Sequence, residues 1–319
     1  MMPAKLCFLI IILFTSNLSF SQKNFERYYD INMHEDFAEK ARFHSFIKGT
    51  DSGWYENRYF ITPNILQMAG LYSDKERQIK NGMFYFFYPN GNVKSSGKYI
   101  NNKKGGLWLE YFSNHFLKDS FNYKAGQPIG ISLSWYTNGM IKDSLNMDDK
   151  GSGVEVSWFD NGQPSSAGKF SEFKQHGKWQ YFHKNGQISS IEIYDHDSLK
   201  NKQYFDENGN IADTSSKNRE AQFPGGEKGW HKYVSSKLYF PANYELTGHI
   251  TSLLVSAIVN EEGNIIDAEI TVPLHPVFDK IALKAISKSP LWIPAIDHNR
   301  KVYYQFTQTF GFSQSLNGQ

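Results

Sequence analysis

The sequence predicts a mainly β protein: an elongated antiparallel sheet of tandem β-hairpin repeats, followed by a small α+β domain in which two helices cover a three-stranded antiparallel sheet. An Asn-Gly dipeptide, once replaced by Asn-His, recurs at steps of 23 or 24 residues, and it is the strongest short-range hairpin signal. Aromatic residues make up 16% of the chain and suit half-buried β surfaces. After residue 213 the pattern changes to helix, strand, strand, helix, strand.

The N-terminus has the features of a secretory signal peptide. Lys5 precedes the apolar run 6–14, and Ser19-Phe20-Ser21 forms a small-x-small cleavage site. The apolar run is too short for a membrane span, which needs about 20 residues. We therefore predict a signal peptide at 1–21, with a retained anchor as the alternative, and export to the periplasm or the outer membrane. Cys7, the only cysteine, lies in this segment, so the mature chain would lack disulfides and thiol chemistry.

The repeats occupy residues 81–213, after an N-terminal β region at 22–80 that ends in a degenerate repeat. A hairpin copied at a fixed period indicates units that stack on their neighbours to bury their apolar residues. Because Asn-Gly readily takes positive φ at both positions, we expect tight turns of that kind. Units one to six are numbered by their turn residues: Asn90-Gly91, Asn114-His115, Asn138-Gly139, Asn161-Gly162, Asn185-Gly186 and Asn208-Gly209.

The apolar alternation changes phase between units. In unit three it places Ile131, Leu133 and Trp135 on one face, whereas Trp179 and Tyr181 of unit five take the opposite phase. A slip of one residue moves every side chain to the other face of a sheet. Either a bulge intervenes between the units, or both faces of the sheet are partly covered.

The units resemble the MORN-variant repeat. Residues 177–186 read Gly-Lys-Trp-Gln-Tyr-Phe-His-Lys-Asn-Gly, and the family's unit is similar to Gly-x-Trp-x-Tyr-Tyr-x-x-Asn-Gly. The resemblance implies a long, twisted antiparallel sheet of hairpins. It says little about function, since the family includes proteins labelled as antitoxins.

A linker is predicted at 214–221 and a second domain at 222–314. We expect helices at 227–238 and 277–288, the second starting at Pro276 and stopping at Ser289-Pro290. Strands are expected at 250–260 and 264–272, joined by a Gly263 hairpin, and a final strand at 301–312.

This domain resembles the C-terminal domain of TonB-type energy transducers. The residues that carry the likeness are Phe223-Pro224-Gly225-Gly226, Tyr239-Phe240-Pro241, Asn260-Glu261-Glu262-Gly263, His275-Pro276, Asp279, Trp292-Ile293-Pro294-Ala295 and the closing aromatic strand. The resemblance implies that the edge of its sheet pairs with an extended segment of a partner, an outer-membrane transporter in that family. The chain departs from a full transducer because hairpins replace the Pro-rich linker and the N-terminus is predicted to be cleaved.

The candidate binding site is therefore the free edge of the last strand. It comprises six residues: Val302, Tyr303, Tyr304, Gln305, Phe306 and Thr307. We expect a non-enzymatic envelope binding or scaffold protein that binds an extended segment there by strand addition. The alternatives are a membrane-anchored TonB-like transducer and an antitoxin-like inhibitor that acts through the repeat face.

Other chemistry is not expected from the sequence. A formal net charge of +2 gives no argument for nucleic acid or for direct membrane contact, and homo-oligomerisation stays open. His176, His183 and His196 match no metal-ligand spacing and have no acidic partner fixed by the repeat, so we expect solvated or turn roles. The common hydrolase and phosphate-loop motifs do not occur, so no catalytic, metal or cofactor residue is predicted.

Overall fold

The computed structural model describes residues 24–215, 218–244 and 251–312, and the predicted signal peptide at 1–21 lies outside them. The first 17 strands form one antiparallel sheet, here called the repeat sheet. They are β1 (Asn24–Tyr29), β2 (Phe43–Thr50), β3 (Gly53–Phe60), β4 (Leu66–Tyr72), β5 (Lys80–Phe87), β6 (Val93–Ile100), β7 (Lys103–Tyr111), β8 (Leu117–Lys124), β9 (Gln127–Pro128), β10 (Gly130–Trp135), β11 (Ile141–Met147), β12 (Gly153–Trp158), β13 (Pro164–Ser171), β14 (Lys174–Phe182), β15 (Ile188–Asp195), β16 (Ser198–Phe205) and β17 (Ile211–Ala212).

The repeat sheet is a simple meander. Each strand pairs with the next along the chain, except that β8 pairs with both the short β9 and β10. This meander confirms the predicted sheet of tandem hairpins. Such hairpins bury apolar surface only against their neighbours.

The Asn-Gly turns differ from the expected geometry. Only the glycine has positive φ, between 80° and 88° in the five Asn-Gly units. In unit one Tyr88 O accepts from Gly91 N at 2.9 Å, and Tyr88 N donates to Asn92 O at 2.8 Å. This is a type I turn closed by a glycine bulge, so the expectation of positive φ at both residues was wrong.

The asparagine side chain makes one bond within this turn and one to the next unit. In unit five Asn185 Oδ1 accepts from Gln187 N at 3.0 Å, while its Nδ2 donates to Glu207 O of the next unit at 2.8 Å. The first bond is local to the turn, and the second joins it to the turn of the next unit. The tight two-residue turns with positive φ lie instead between units, at Asn101-Asn102, Ala125-Gly126, Glu172-Phe173 and His196-Asp197.

The change of phase in the apolar alternation reflects different residue types at equivalent positions of the units. The strands do not slip relative to one another. Trp179 and Tyr181 stand six and four residues before their turn asparagine, and so do Ser132 and Ser134 in unit three; all four are buried. Ile131 points to the opposite face and is 65% exposed. The bulge recurs at the same place in units one to five, so it leaves the phase between units unchanged.

The described residues of the C-terminal domain form two helices and five strands. Helices α1 (Gly226–Lys237) and α2 (Pro276–Ser287) accompany β18 (Ser252–Val259), β19 (Ile265–Val272) and β22 (Tyr304–Gly311), which form a sheet in the order β19-β18-β22. Strands β20 (Ala295–Asp297) and β21 (Arg300–Val302) form a separate hairpin. No helix in the described ranges is long and apolar enough to cross a membrane.

Local signals set the second helix, and a shared core holds the domain together. His275 Nδ1 accepts from Val277 N at 3.3 Å and Pro276 occupies the first turn of α2, as expected for a helix start. The core joins Trp230 of α1 and Phe278 of α2 to Leu253 and Phe310 of the sheet. The two helices therefore cover one face of the three-stranded sheet.

The predicted final strand at 301–312 is two strands. Residues 300–302 pair with β20, whereas 304–311 pair with β18 in an unbroken register from Tyr304↔Val259 to Gly311↔Ser252. The break falls at Tyr303, because a tight turn at His298-Asn299, with φ of 49° and 59°, folds β21 back onto β20. At the predicted linker, Arg219 pairs with Ile296 and starts a short extended segment along this hairpin.

Candidate functional site

The C-terminal domain packs on the repeat sheet through the face of its own sheet that the helices do not cover. Tyr29, Phe43 and Phe60 of the first strands form an apolar cluster with Val272, and Leu254 packs against it. Burial of such side chains stabilises the contact by about 25 cal/mol per Å² of apolar surface. The domain is therefore fixed in position on the repeats.

Arg42 makes polar contacts with the C-terminal domain at this end of the interface. It is buried, and its guanidinium donates to the backbone carbonyls of Ser252 and Pro273 in the C-terminal domain. Burial lowers the pKa of Arg42 to about 10, while Asp279 opposes that shift. The side chain therefore stays cationic at neutral pH and makes charge-assisted hydrogen bonds to two carbonyls of the C-terminal domain.

A second contact involves the turn between β18 and β19. Lys184 Nζ lies 2.9 Å from Asp160, 2.9 Å from Glu262 and 3.5 Å from Glu261. Burial acts to lower the pKa of Lys184, but its hydrogen bonds to Asp160 and Glu262 raise it overall. One ammonium group thus binds the repeat sheet and the C-terminal domain at once.

A third contact is made by the tip of the β20–β21 hairpin. The ring of His298 stacks on Tyr181, with centroids 3.6 Å apart and planes inclined by 5°. Its Nδ1 lies 3.0 Å from Glu192 Oε1. Burial acts to raise the pKa of Glu192, but hydrogen bonds from His298 and Tyr194 lower it overall. The buried carboxylate is therefore kept charged and holds the hairpin tip.

The contact surface between the repeat sheet and the C-terminal domain, here called the seam, also contains an open polar cavity of about 280 Å³. Of the residues that line this cavity, Val302 and Tyr303 belong to the predicted binding site. Glu155, Ser157 and Arg300 line it, and burial lowers the pKa of Arg300. The sequence did not predict these residues as a site. In the repeat pattern, Glu155 and Ser157 are visible only as polar residues at positions that are aromatic in unit five. This replacement of aromatic by polar residues was the one feature of the sequence that could have indicated a polar region of the sheet covered by another domain.

Glu261 makes this seam sensitive to pH. It is 4% exposed, and its pKa is raised chiefly by burial. Between its unfolded pKa, about 4.3, and its higher folded pKa, the folded protein binds more protons, so this contribution to the free energy of unfolding falls as pH rises. We expect Glu261→Gln to remove that contribution, so that the variant gains stability relative to wild type as pH rises above about 4.3.

Urea denaturation at several pH values measures this effect. Glu262→Gln is the matched control, since it also removes a negative charge beside Lys184. Parallel pH profiles for wild type and Glu261→Gln would contradict the assignment.

The predicted binding residues fall into three environments. Val302 lies in β21 and pairs with Ala295. Tyr303 lies between the two strands, and its hydroxyl donates to Asp160 Oδ2 at 3.0 Å. Tyr304, Gln305, Phe306 and Thr307 belong to β22. Val302 therefore belongs to the β20–β21 hairpin and Tyr303 contacts the repeat sheet. Only the last four residues lie on the terminal strand.

β22 has an open and unprotected edge. It pairs with β18 on one side, and no residue in the described ranges pairs with its other side. Its sequence, YQFTQTFG, contains no charge and no proline, and its register has no bulge. The opposite edge strand, β19, carries Asp267 and Glu269 and two register shifts. Proteins use such features to protect strand edges from pairing, and β22 lacks them.

The open edge is also rigidly held. On the helix side Phe306 packs on Trp292 with centroids 4.9 Å apart, and Gln308 Oε1 accepts from Trp230 Nε1 at 3.0 Å. On the other side Thr307 and Thr309 are exposed. An extended segment laid along β22 would find ordered backbone groups and accessible side chains.

The stacked hairpins place the chain among the β-hairpin repeat proteins. Residues 80–101 and 175–196, which correspond to units one and five, match the family model described as MORN repeat variant. This match supports the resemblance of the units and a repeat-based role in binding or as a scaffold. No curated protein matches the chain.

Proposed function

We propose that the protein is an exported, non-enzymatic envelope protein that binds an extended peptide segment by strand addition at β22. The observation that carries the proposal is the regular, uncharged, unpaired edge over 304–311. Main-chain hydrogen bonds would supply affinity, and the exposed side chains of Thr307 and Thr309 would contribute to selectivity.

The repeat sheet would serve as a platform in this function. Its contacts with the C-terminal domain extend from Arg42 in the loop before β2 to Phe205 in β16, whose carbonyl accepts from Asn299 Nδ2 at 2.8 Å. A domain held at several points presents its edge in a fixed direction, which limits the entropy lost on binding. The resemblance to TonB-type domains favours an envelope partner, such as a segment of an outer-membrane transporter.

Paired proline variants test the edge. Successive N–H groups of a strand point to opposite sides, so one of Thr307→Pro and Gln308→Pro removes a bond to β18 and the other removes an outward donor. A photo-crosslinker at Thr309 of the full-length protein, followed by mass spectrometry of envelope extracts, identifies the bound segment. We expect the outward-facing proline to keep the melting temperature and to reduce cross-linking by roughly tenfold.

Thr307→Val is the matched control, since it retains the backbone N–H and should still cross-link. A folded, outward-facing proline variant that cross-links like wild type would contradict strand addition. The same spectra read the mature N-terminus, where Gln22 as first residue is expected after cleavage of a signal peptide.

A further inference from the structure

We propose that His176, Asp195 and His196 form a binding site for a divalent transition-metal ion of the zinc class. Each residue offers one ligand atom, and these atoms all lie within 4.8 Å of one another. The three side chains are exposed, so an ion reaches them directly from solvent. This site is separate from β22 and from the seam.

The hairpin geometry brings the three side chains together. Gly177 pairs with Tyr194 across β14 and β15, which places His176 beside Asp195 at the end of these strands. The tight turn that follows gives His196 a φ of 50°. The imidazole rings of the two histidines then lie with centroids 4.9 Å apart.

The distances suit coordination after small side-chain rotations. Asp195 Oδ1 lies 3.6 Å from His176 Nδ1 and 2.7 Å from His196 Nδ1. In a tetrahedral zinc site, ligand atoms at about 2.0–2.2 Å from the metal are about 3.3 Å apart. Lys200 Nζ lies 3.9 Å from the other carboxylate oxygen, Oδ2, which leaves Oδ1 for the metal.

The donor set is typical of a site with an open coordination position. Two imidazoles and one carboxylate match the ligand types that zinc prefers, and three protein ligands leave a fourth position for water or another ligand. Other divalent metals that favour imidazole, above all copper, would compete by the usual order of affinities. The ion would join β14 to the turn that leads into unit six.

The other units show that the scaffold does not require these residues. The same three positions, counted from the turn asparagine, hold no histidine in units one to four. They are occupied by Asn81, Ile100 and Asn101; Gly105, Lys124 and Ala125; Ile129, Asp148 and Asp149; and Ser152, Ser171 and Glu172. The combination in unit five is therefore not a consequence of turn geometry.

This assignment revises the expectation from sequence. That expectation rested on the lack of an acidic partner fixed by the repeat, and the structure places Asp195 against both histidines. His183 is not part of the group: it is buried, and its Nε2 lies 2.9 Å from Phe205 O.

Zinc titration of the full-length, tag-free protein tests the proposal. We expect isothermal titration calorimetry with Zn²⁺ alone to show one site per chain, and a zinc-dependent rise in melting temperature through linkage. His176→Asn and His196→Asn introduce the residues that unit one carries at these positions. Each should weaken binding by on the order of tenfold or more, because a ligand is lost.

His115→Asn is the matched control. His115 is also an exposed turn histidine, with a φ of 72°, but it is not part of the group. Its variant should bind zinc like wild type. The proposal is overturned if wild type binds no zinc at millimolar concentration, or if His176→Asn and His196→Asn bind as tightly as His115→Asn.

Discussion

Replacing Gly168 by valine is expected to lower the free energy of unfolding by about 1–3 kcal/mol, the usual cost of overpacking. The indole ring of Trp179 lies flat over this glycine, and a Cβ built on Gly168 would stand 2.0 Å from Trp179 Cδ2. Trp179 is 2% exposed, and its Nε1 donates to Lys169 O at 3.1 Å. The indole occupies the position that the new side chain needs, so either the indole or the strand must move.

Strand propensity alone predicts the opposite sign, because valine favours strands and glycine does not. Chemical denaturation of Gly168→Val, beside Gly311→Val as the control, separates the two effects. A Cβ on Gly311 meets nothing within 4 Å. Equal stability of Gly168→Val and wild type would show that the contact with Trp179 is unimportant.

Gly168→Val should also weaken the contact between the β20–β21 hairpin and the repeat sheet. Trp179 stacks beside Tyr181 with centroids 6.1 Å apart, and Tyr181 carries the ring of His298. A displaced indole therefore disturbs the surface on which the β20–β21 tip rests. We expect faster hydrogen exchange at 295–302 in Gly168→Val, which mass spectrometry detects.

Replacing Glu56 by alanine is expected to cost about 3–5 kcal/mol, as when one partner of a buried ion pair is removed. Glu56 is fully buried. Its Oε1 accepts from Ser45 Oγ at 2.6 Å and from Arg58 Nη2 at 2.8 Å, and Arg77 Nε lies 3.4 Å from Oε2. Without the carboxylate, two largely buried guanidinium groups face each other with no counter-charge.

Thermal and urea denaturation measure this effect, with Glu39→Ala as the control at an exposed acid. Glu56→Leu combined with Arg58→Met should recover part of the loss, because it also removes one of the uncompensated charges. A loss below about 1 kcal/mol in Glu56→Ala, the scale of an exposed ion pair, would contradict the assigned role.

Much of the fold could be predicted because the repeat makes each local signal recur. The period of the Asn-Gly turns predicts the meander of the repeat sheet, and Pro276 marks the start of α2 as observed. Local sequence signals did not predict the contacts that side chains make with another unit. Asn185 Nδ2, for example, donates to Glu207 O of the next unit, and periodicity within a single unit does not reveal that contact.

The candidate site was predicted only in part for the same reason. The terminal strand follows from the aromatic alternation, but Tyr303, where that strand breaks, donates to Asp160, which lies 143 residues earlier in the chain. Glu192 and His298 are 106 residues apart, and no spacing rule connects them. Their contact arises only when the C-terminal domain packs on the repeats.

The sequence by itself determined the strand count per unit, the place of the turns and the order of the two helices and three main strands in the C-terminal domain. These depend on interactions within about two dozen residues, which the chain repeats or punctuates with glycine and proline. Only the tertiary structure decided which face is covered, how the domain is docked and where the last strand breaks. Those outcomes depend on side chains that are distant in sequence and become neighbours only through packing.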